Sequence, residues 1–178
     1  MVSTAYQKAM TAAEHHLFQK ILDFPLDPPG AVFPFSYKLA WEYQWTNLYT
    51  LRAIDEYKKF VFLAVTANHM VSPATPVDRV WHLHLLYTHS YWEDFCGQIL
   101  GKPLHHIPSL GGRREGKKYQ RVYEQTLFTY RQYFGDPPTD IWHPPRLRSE
   151  SVNFQWVNKR QYWLIPRPLQ FCKNLLFS

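Results

Sequence analysis

The stretch TPVDRVWHLHLLYTHSYWEDFCGQILGKPLHHIPSLGG, residues 75–112, decides how the rest of the chain is read, because it holds five of the nine histidines and one of the two cysteines. Imidazole and thiolate are the usual ligands of zinc, iron and copper, and both are costly to bury unless their polar atoms are satisfied. The stretch reads as one long helix from Thr75 to Gly101. Thr75 is the expected N-cap, Pro76 suits the first helical position, and Asp78 stands where a capping box places an acid. Gly101 and Pro103 supply the stop. At about 100° per residue, Trp81, Leu85, Trp92, Phe95 and Ile99 fall on one apolar stripe that should face a core. Asp78, His82, His89 and Cys96 line one shoulder of that stripe, and His84 and Tyr91 line the other.

This placement constrains any metal site. An HxH pair chelates one ion readily from a strand but poorly from a regular helix, so His82 and His84 are expected to point apart. Asp78 and His82, one turn apart, form the natural local pair, with the carboxylate either orienting the imidazole or ligating beside it. His105 and His106 follow the helix. Five extended residues reach back roughly 17 Å, whereas residue 82 of a straight helix lies about 27 Å from residue 100. The His-His pair is therefore expected nearer Cys96, Trp92 or His89, and His69 is the easier outside partner for Asp78 and His82. The candidate ligands of a divalent zinc, iron or copper ion are Asp78, His82, His84, His105 and His106. Trp81, Tyr91 and Cys96 accompany them, read first as core residues, with Cys96 a buried small side chain rather than a nucleophile. The competing reading of the histidines is structural, each donating one hydrogen bond and accepting another on a buried flank.

Length and composition bound the answer. The 178 residues suffice for one domain with a real core, and 46% hydrophobic and 17% aromatic content argue for compact folding. Two cysteines, Cys96 and Cys172, make no disulfide framework. No apolar run is long enough to span a bilayer, and a reducing cytoplasm is the expected address. Charge is uneven: residues 1–112 carry 8 Lys and Arg against 9 Asp and Glu, and residues 113–178 carry 12 against 5. Arg113, Arg114, Lys117, Lys118 and Arg121 cluster, and Arg146 to Lys173 extend the basic part; such a surface suits nucleic acid, acidic protein or anionic lipid.

The remainder reads as helical scaffolding. Helices are expected from about Thr4 to Asp23, from a Ser36 cap through Trp45, from a Thr46 cap to about Asn68, and from Tyr119 to Gly135, with DPPTDIWHPP as an irregular wrap. In the third of these, Leu48, Leu51, Ile54, Tyr57, Val61 and Val65 should form the inner face. Phe154 to Val157 and Tyr162 to Ile165 suggest a small hairpin. The expected fold is mainly α, a single-domain bundle of about five helices with a small C-terminal β-hairpin: residues 1–145 form the helical part, and residues 146–178 form a basic, aromatic extension packed on it.

The strings EYKKFVFLAVTANH, VDRVWHLHLLYTHSYWEDFCG, PLHHIPSLGG, YEQTLFTYRQYFG and DIWHPP resemble the bacterial branch of the glycine-rich domain-containing protein-like family. The likeness runs from about Phe24 to Trp142, and YWLIPRP extends it towards the tail. Its most specific element, WHxH with a preceding Asp, maps onto Asp78, Trp81, His82 and His84, followed by Tyr91, Trp92 and Cys96. No long glycine-rich region follows, the chain having 7 Gly. The resemblance implies a family hallmark and no particular reaction. GxSxG, HExxH, Walker and GxGxxG motifs are absent. Two classes of function stay open: a helical metal-binding protein, with an enzyme as one form of it, and a non-enzymatic interaction module with structural histidines and a basic C-terminal surface.

Overall fold

The computed structural model describes residues 10–108 and 111–144. Among them lie six helical segments and no strand: α1 Ala12–Asp23, α2 Phe35–Tyr43, α3 Asn47–Thr66, α4 Thr75–Leu86, a π-helix His89–Leu100 and α5 Arg113–Phe134. The proposed hairpin and the extension from residue 146 fall outside the described residues. No helix among the described residues is long and apolar enough to cross a membrane.

Local signals set most boundaries. Thr11 and Glu14 close a reciprocal capping box at the start of α1, so this helix begins at Ala12 and not near Thr4. Thr46 caps α3 as expected, its hydroxyl accepting from the Tyr49 N–H. Ser36 does not cap α2. That helix starts one residue earlier, and both the N–H and the hydroxyl of Ser36 donate to the Asp27 carboxylate, which reaches in from the preceding loop. The helix ends at Gln44, whose left-handed backbone at φ 55° turns the Trp45 N–H back to the Ala40 carbonyl. Likewise α4 is capped by Ala74, so Thr75 already belongs to it.

α3 is the axis of the molecule: α1, α2, α4 and α5 all pack on it. Its residues 60–63 are consecutively buried, as only an element surrounded on several sides can be. Ile54, Tyr57 and Val61 face inward as expected, but Leu48 and Leu51 lie exposed, because the buried face of the first turns of α3 runs through Thr50 and Ala53. Lys58 bends its ammonium onto the carbonyls of Leu22 and Phe24, capping the C-terminal end of α1 from α3. The wrap after α5 is anchored by Trp142, buried between Tyr123 and Tyr130.

The single helix expected over residues 75–100 is two. α4 stops at Leu86, Tyr87 leaves helical geometry at φ −88° and ψ 65°, and the chain resumes in wider i→i+5 winding from His89. The rewinding moves the apolar face. Residues five apart now stack, so Tyr91, Phe95, Cys96 and Leu100 are buried, whereas Trp92 is exposed and Ile99 only partly covered. His89 stands in solvent beside Glu93 and Asp94, away from the shoulder it was expected to share with Asp78.

Candidate metal centre

α4 sends its two histidines to opposite environments, as its periodicity requires. His84 is fully buried, with Nδ1 2.9 Å from the Tyr57 hydroxyl and Nε2 3.5 Å from the Ser90 hydroxyl. Phe24, Phe35, Tyr57, Tyr91 and Phe95 surround the ring. Burial, reinforced by the charge of Lys58, pulls its pKa down to about 3, so it is neutral over the physiological range. His82 is half exposed on the outer side and one turn from Asp78.

His106 joins this pair. Its Nε2 lies 3.0 Å from Asp78 Oδ1 and 3.0 Å from His82 Nε2, and His82 Nε2 is 3.7 Å from Asp78 Oδ2. One donor atom from each of the three residues falls within 4.8 Å of the others. A neutral imidazole carries one hydrogen, so no choice of tautomers turns all three contacts into linear hydrogen bonds. A cation facing the three lone pairs would satisfy them together. Four donors held tetrahedrally at zinc distances of about 2.0–2.1 Å stand about 3.3 Å apart; His106 Nε2 is near that spacing from Asp78 Oδ1 and from His82 Nε2, while His82 approaches the other carboxylate oxygen, Oδ2. Side-chain exposures of 53% for His82, 33% for Asp78 and 19% for His106 leave one side of the cluster open to solvent.

The approach of His106 to His82 overturns the expected spacing. The 27 Å separation assumed a straight rod, and the break at Tyr87 removes it. Trp81 and Tyr91, about 15 Å apart along an unbroken helix, are joined by a 2.8 Å hydrogen bond from the indole N–H to the phenol oxygen. The Tyr91 hydroxyl in turn donates to the carbonyl of Leu104, drawing the following loop back over α4. His106 then packs edge-on against the Trp81 ring, with centroids 4.7 Å apart.

The remaining candidates are dispersed. His105 is exposed beside Trp92. His69, expected near Asp78, instead bonds to Thr129 of α5 and to the Met70 carbonyl. Cys96 is buried; desolvation pushes its thiol pKa up, with the neighbouring Leu104 backbone and Tyr91 side chain opposing. That environment suits a packed side chain and not a nucleophile. Arg114, Lys117, Lys118 and Arg121 line an open groove of about 880 Å³ at the start of α5, and none of the cluster's three residues lines it.

Sequence reasoning missed one buried polar centre. Glu56 accepts from Lys59, from the Tyr130 hydroxyl and from the Trp142 indole, at 2.7–2.8 Å each. Its signal was a glutamate at helical spacing between Ala53 and Phe60, both fully buried on the inner face of α3.

Compared with known proteins, residues 36–126 match the family described as UCP032817-like, over half of the chain and including Asp78, His82 and His106. Glycine-rich domain-containing protein 1 of Arabidopsis thaliana is 27% identical over 107 residues, covering 57% of this chain and 13% of that protein. Glycine-rich domain-containing protein 2 of the same plant is 28% identical over 108 residues, covering 57% of this chain and 14% of that protein. The chain thus spans less than a sixth of the length of the curated relatives it matches. No solved structure matches.

Proposed function

The chain belongs to the UCP032817-like family, and we propose that the segment by which it belongs carries a divalent metal site formed by Asp78, His82 and His106. The convergence of three lone-pair atoms from two distant parts of the chain carries this reading. Two imidazoles and a carboxylate are donors for zinc, iron or copper. Three protein donors leave coordination open, and the half-exposed side of His82 faces that opening. An ion so held has room for a water or a substrate oxygen, as catalytic sites do and closed structural sites do not. His84 and His105 lie outside this ligand set, the first as a buried neutral bridge to Tyr57 and the second beside Trp92.

The test is metal content and zinc titration of protein purified without a histidine tag. One equivalent of metal is expected, with affinity falling as the pH is lowered because protons compete for both imidazoles. His82→Ala, on the exposed side of α4, should abolish binding while helix content is preserved. Protein that is metal-free and takes up neither zinc, iron nor copper would reject the reading.

A further inference from the structure

Resting on the metal reading above, we propose that Tyr91, fixed by Trp81, is the positioning residue that delivers His106 to the metal. His106 stands 28 positions after Asp78, in a segment, residues 102–108, without helix or strand. Something outside that segment must fix its path. The fully buried Tyr91 does so at Leu104, two residues before His106, because its hydroxyl donates to the Leu104 carbonyl. Tyr91 is itself held from α4, where the Trp81 indole N–H donates to the same phenol oxygen at 2.8 Å. Trp81 also meets the His106 ring directly. It stands between Asp78 and His82 on the helix that carries both, so one hydrogen-bonded pair ties the two ligand-bearing segments together.

The phenol is suited to this task. Its oxygen accepts from one side and donates on the other, so replacing it with hydrogen leaves both a buried indole N–H and the carbonyl of the ligand loop without their partner. The ring of Tyr91 also packs against His84, and Phe at this position keeps that contact. Tyr91→Phe therefore removes the tether and leaves the packing. Groups that orient metal ligands in this way change affinity by about tenfold to a hundredfold when removed.

The experiment is zinc titration calorimetry on the untagged full chain, comparing wild type, Tyr91→Phe, His106→Ala and the double variant. Tyr91→Phe should weaken zinc binding about tenfold to a hundredfold with the helix content unchanged, and the double variant should bind no more weakly than His106→Ala alone. Equal affinity of Tyr91→Phe and wild type overturns the positioning role and leaves the metal site standing. A Tyr91→Phe effect that persists in full without His106 also overturns it, showing that Tyr91 acts on the fold at large. Failure of the wild type to bind any of zinc, iron and copper in the same titration removes the metal reading, and this inference with it. Trp81→Phe is the second probe if Tyr91→Phe does not fold. It keeps a ring against His106 and the Tyr91 bond to Leu104 but removes the fixing donor, so it should weaken binding in the presence of His106, and unchanged affinity would count against the proposal.

Discussion

His84 shows how one residue sets the acid response of the fold. Its ring is buried among aromatic side chains and neutral, with a pKa of about 3 in the folded chain against an ordinary value of 6.5. Above the ordinary value the ring is neutral in both states and adds no pH dependence. As pH falls from 6.5 towards about 3, the unfolded chain takes up a proton that the folded chain refuses, so stability drops, approaching about 1.4 kcal/mol per pH unit. His84→Gln should flatten the acid limb of a plot of unfolding free energy against pH over that window. An unchanged limb would mean that the buried ring is not the source. The outer histidine of the same HxH pair, His82, illustrates the opposite choice, a half-exposed imidazole beside Asp78 and His106. A period of 3.6 residues made this division legible from sequence, because positions two apart on a helix cannot share a face.

At the scale of the element, the decisive feature is the change from α4 to the π-helix. Periodicity alone supported one continuous α-helix, and it placed Trp92 and Ile99 on the inner stripe with Tyr91 and Cys96 on its two shoulders. Tyr91 and Cys96 are buried, as their reading as core residues required, but the wider winding also turns Leu100 inward and leaves Trp92 exposed. The α-helical reading uses spacings of three and four (Trp92, Phe95, Ile99) and the wider winding spacings of four and five (Tyr91, Phe95, Cys96, Leu100); the sequence offers apolar residues at both sets, and burial selects the second. The end of the π-helix, by contrast, was announced locally by Gly101, which takes φ 66° with open space around its Cβ position. Gly101→Ala should therefore cost backbone strain and nothing else, about 1–2 kcal/mol. Urea denaturation of this variant checks the figure, and a neutral result would show that the loop adopts another path at little cost.

On the scale of the whole molecule, α3, α5 and the wrap that follows meet at Glu56. This carboxylate is nearly buried and satisfied by Lys59, Tyr130 and Trp142; burial, then the hydrogen bond to Glu56, raises the Tyr130 phenol pKa. Removing the acceptor takes the partner from the buried Tyr130 phenol and Trp142 indole at once and the ion pair from Lys59. Glu56→Ala should lower stability by about 3–5 kcal/mol, as breaking buried ionic networks does, while Glu56→Gln, which retains one acceptor oxygen, should lose less. Equal and small losses in both variants, read by thermal and urea unfolding, would show that the three elements are held together by apolar packing alone. What the sequence by itself determined is the helical character of the chain, the Thr46 cap and the stops at Gly101 and Gly135, and the placement of Asp78 and His82 one turn apart on the same flank of a helix, because these depend on residues within one or two turns. Which histidine completes the cluster was decided only by tertiary structure: the return of His106 depends on a break at Tyr87 and on hydrogen bonds from Trp81 to Tyr91 and from Tyr91 to Leu104, between residues 10 and 13 positions apart, whose geometry no local period encodes.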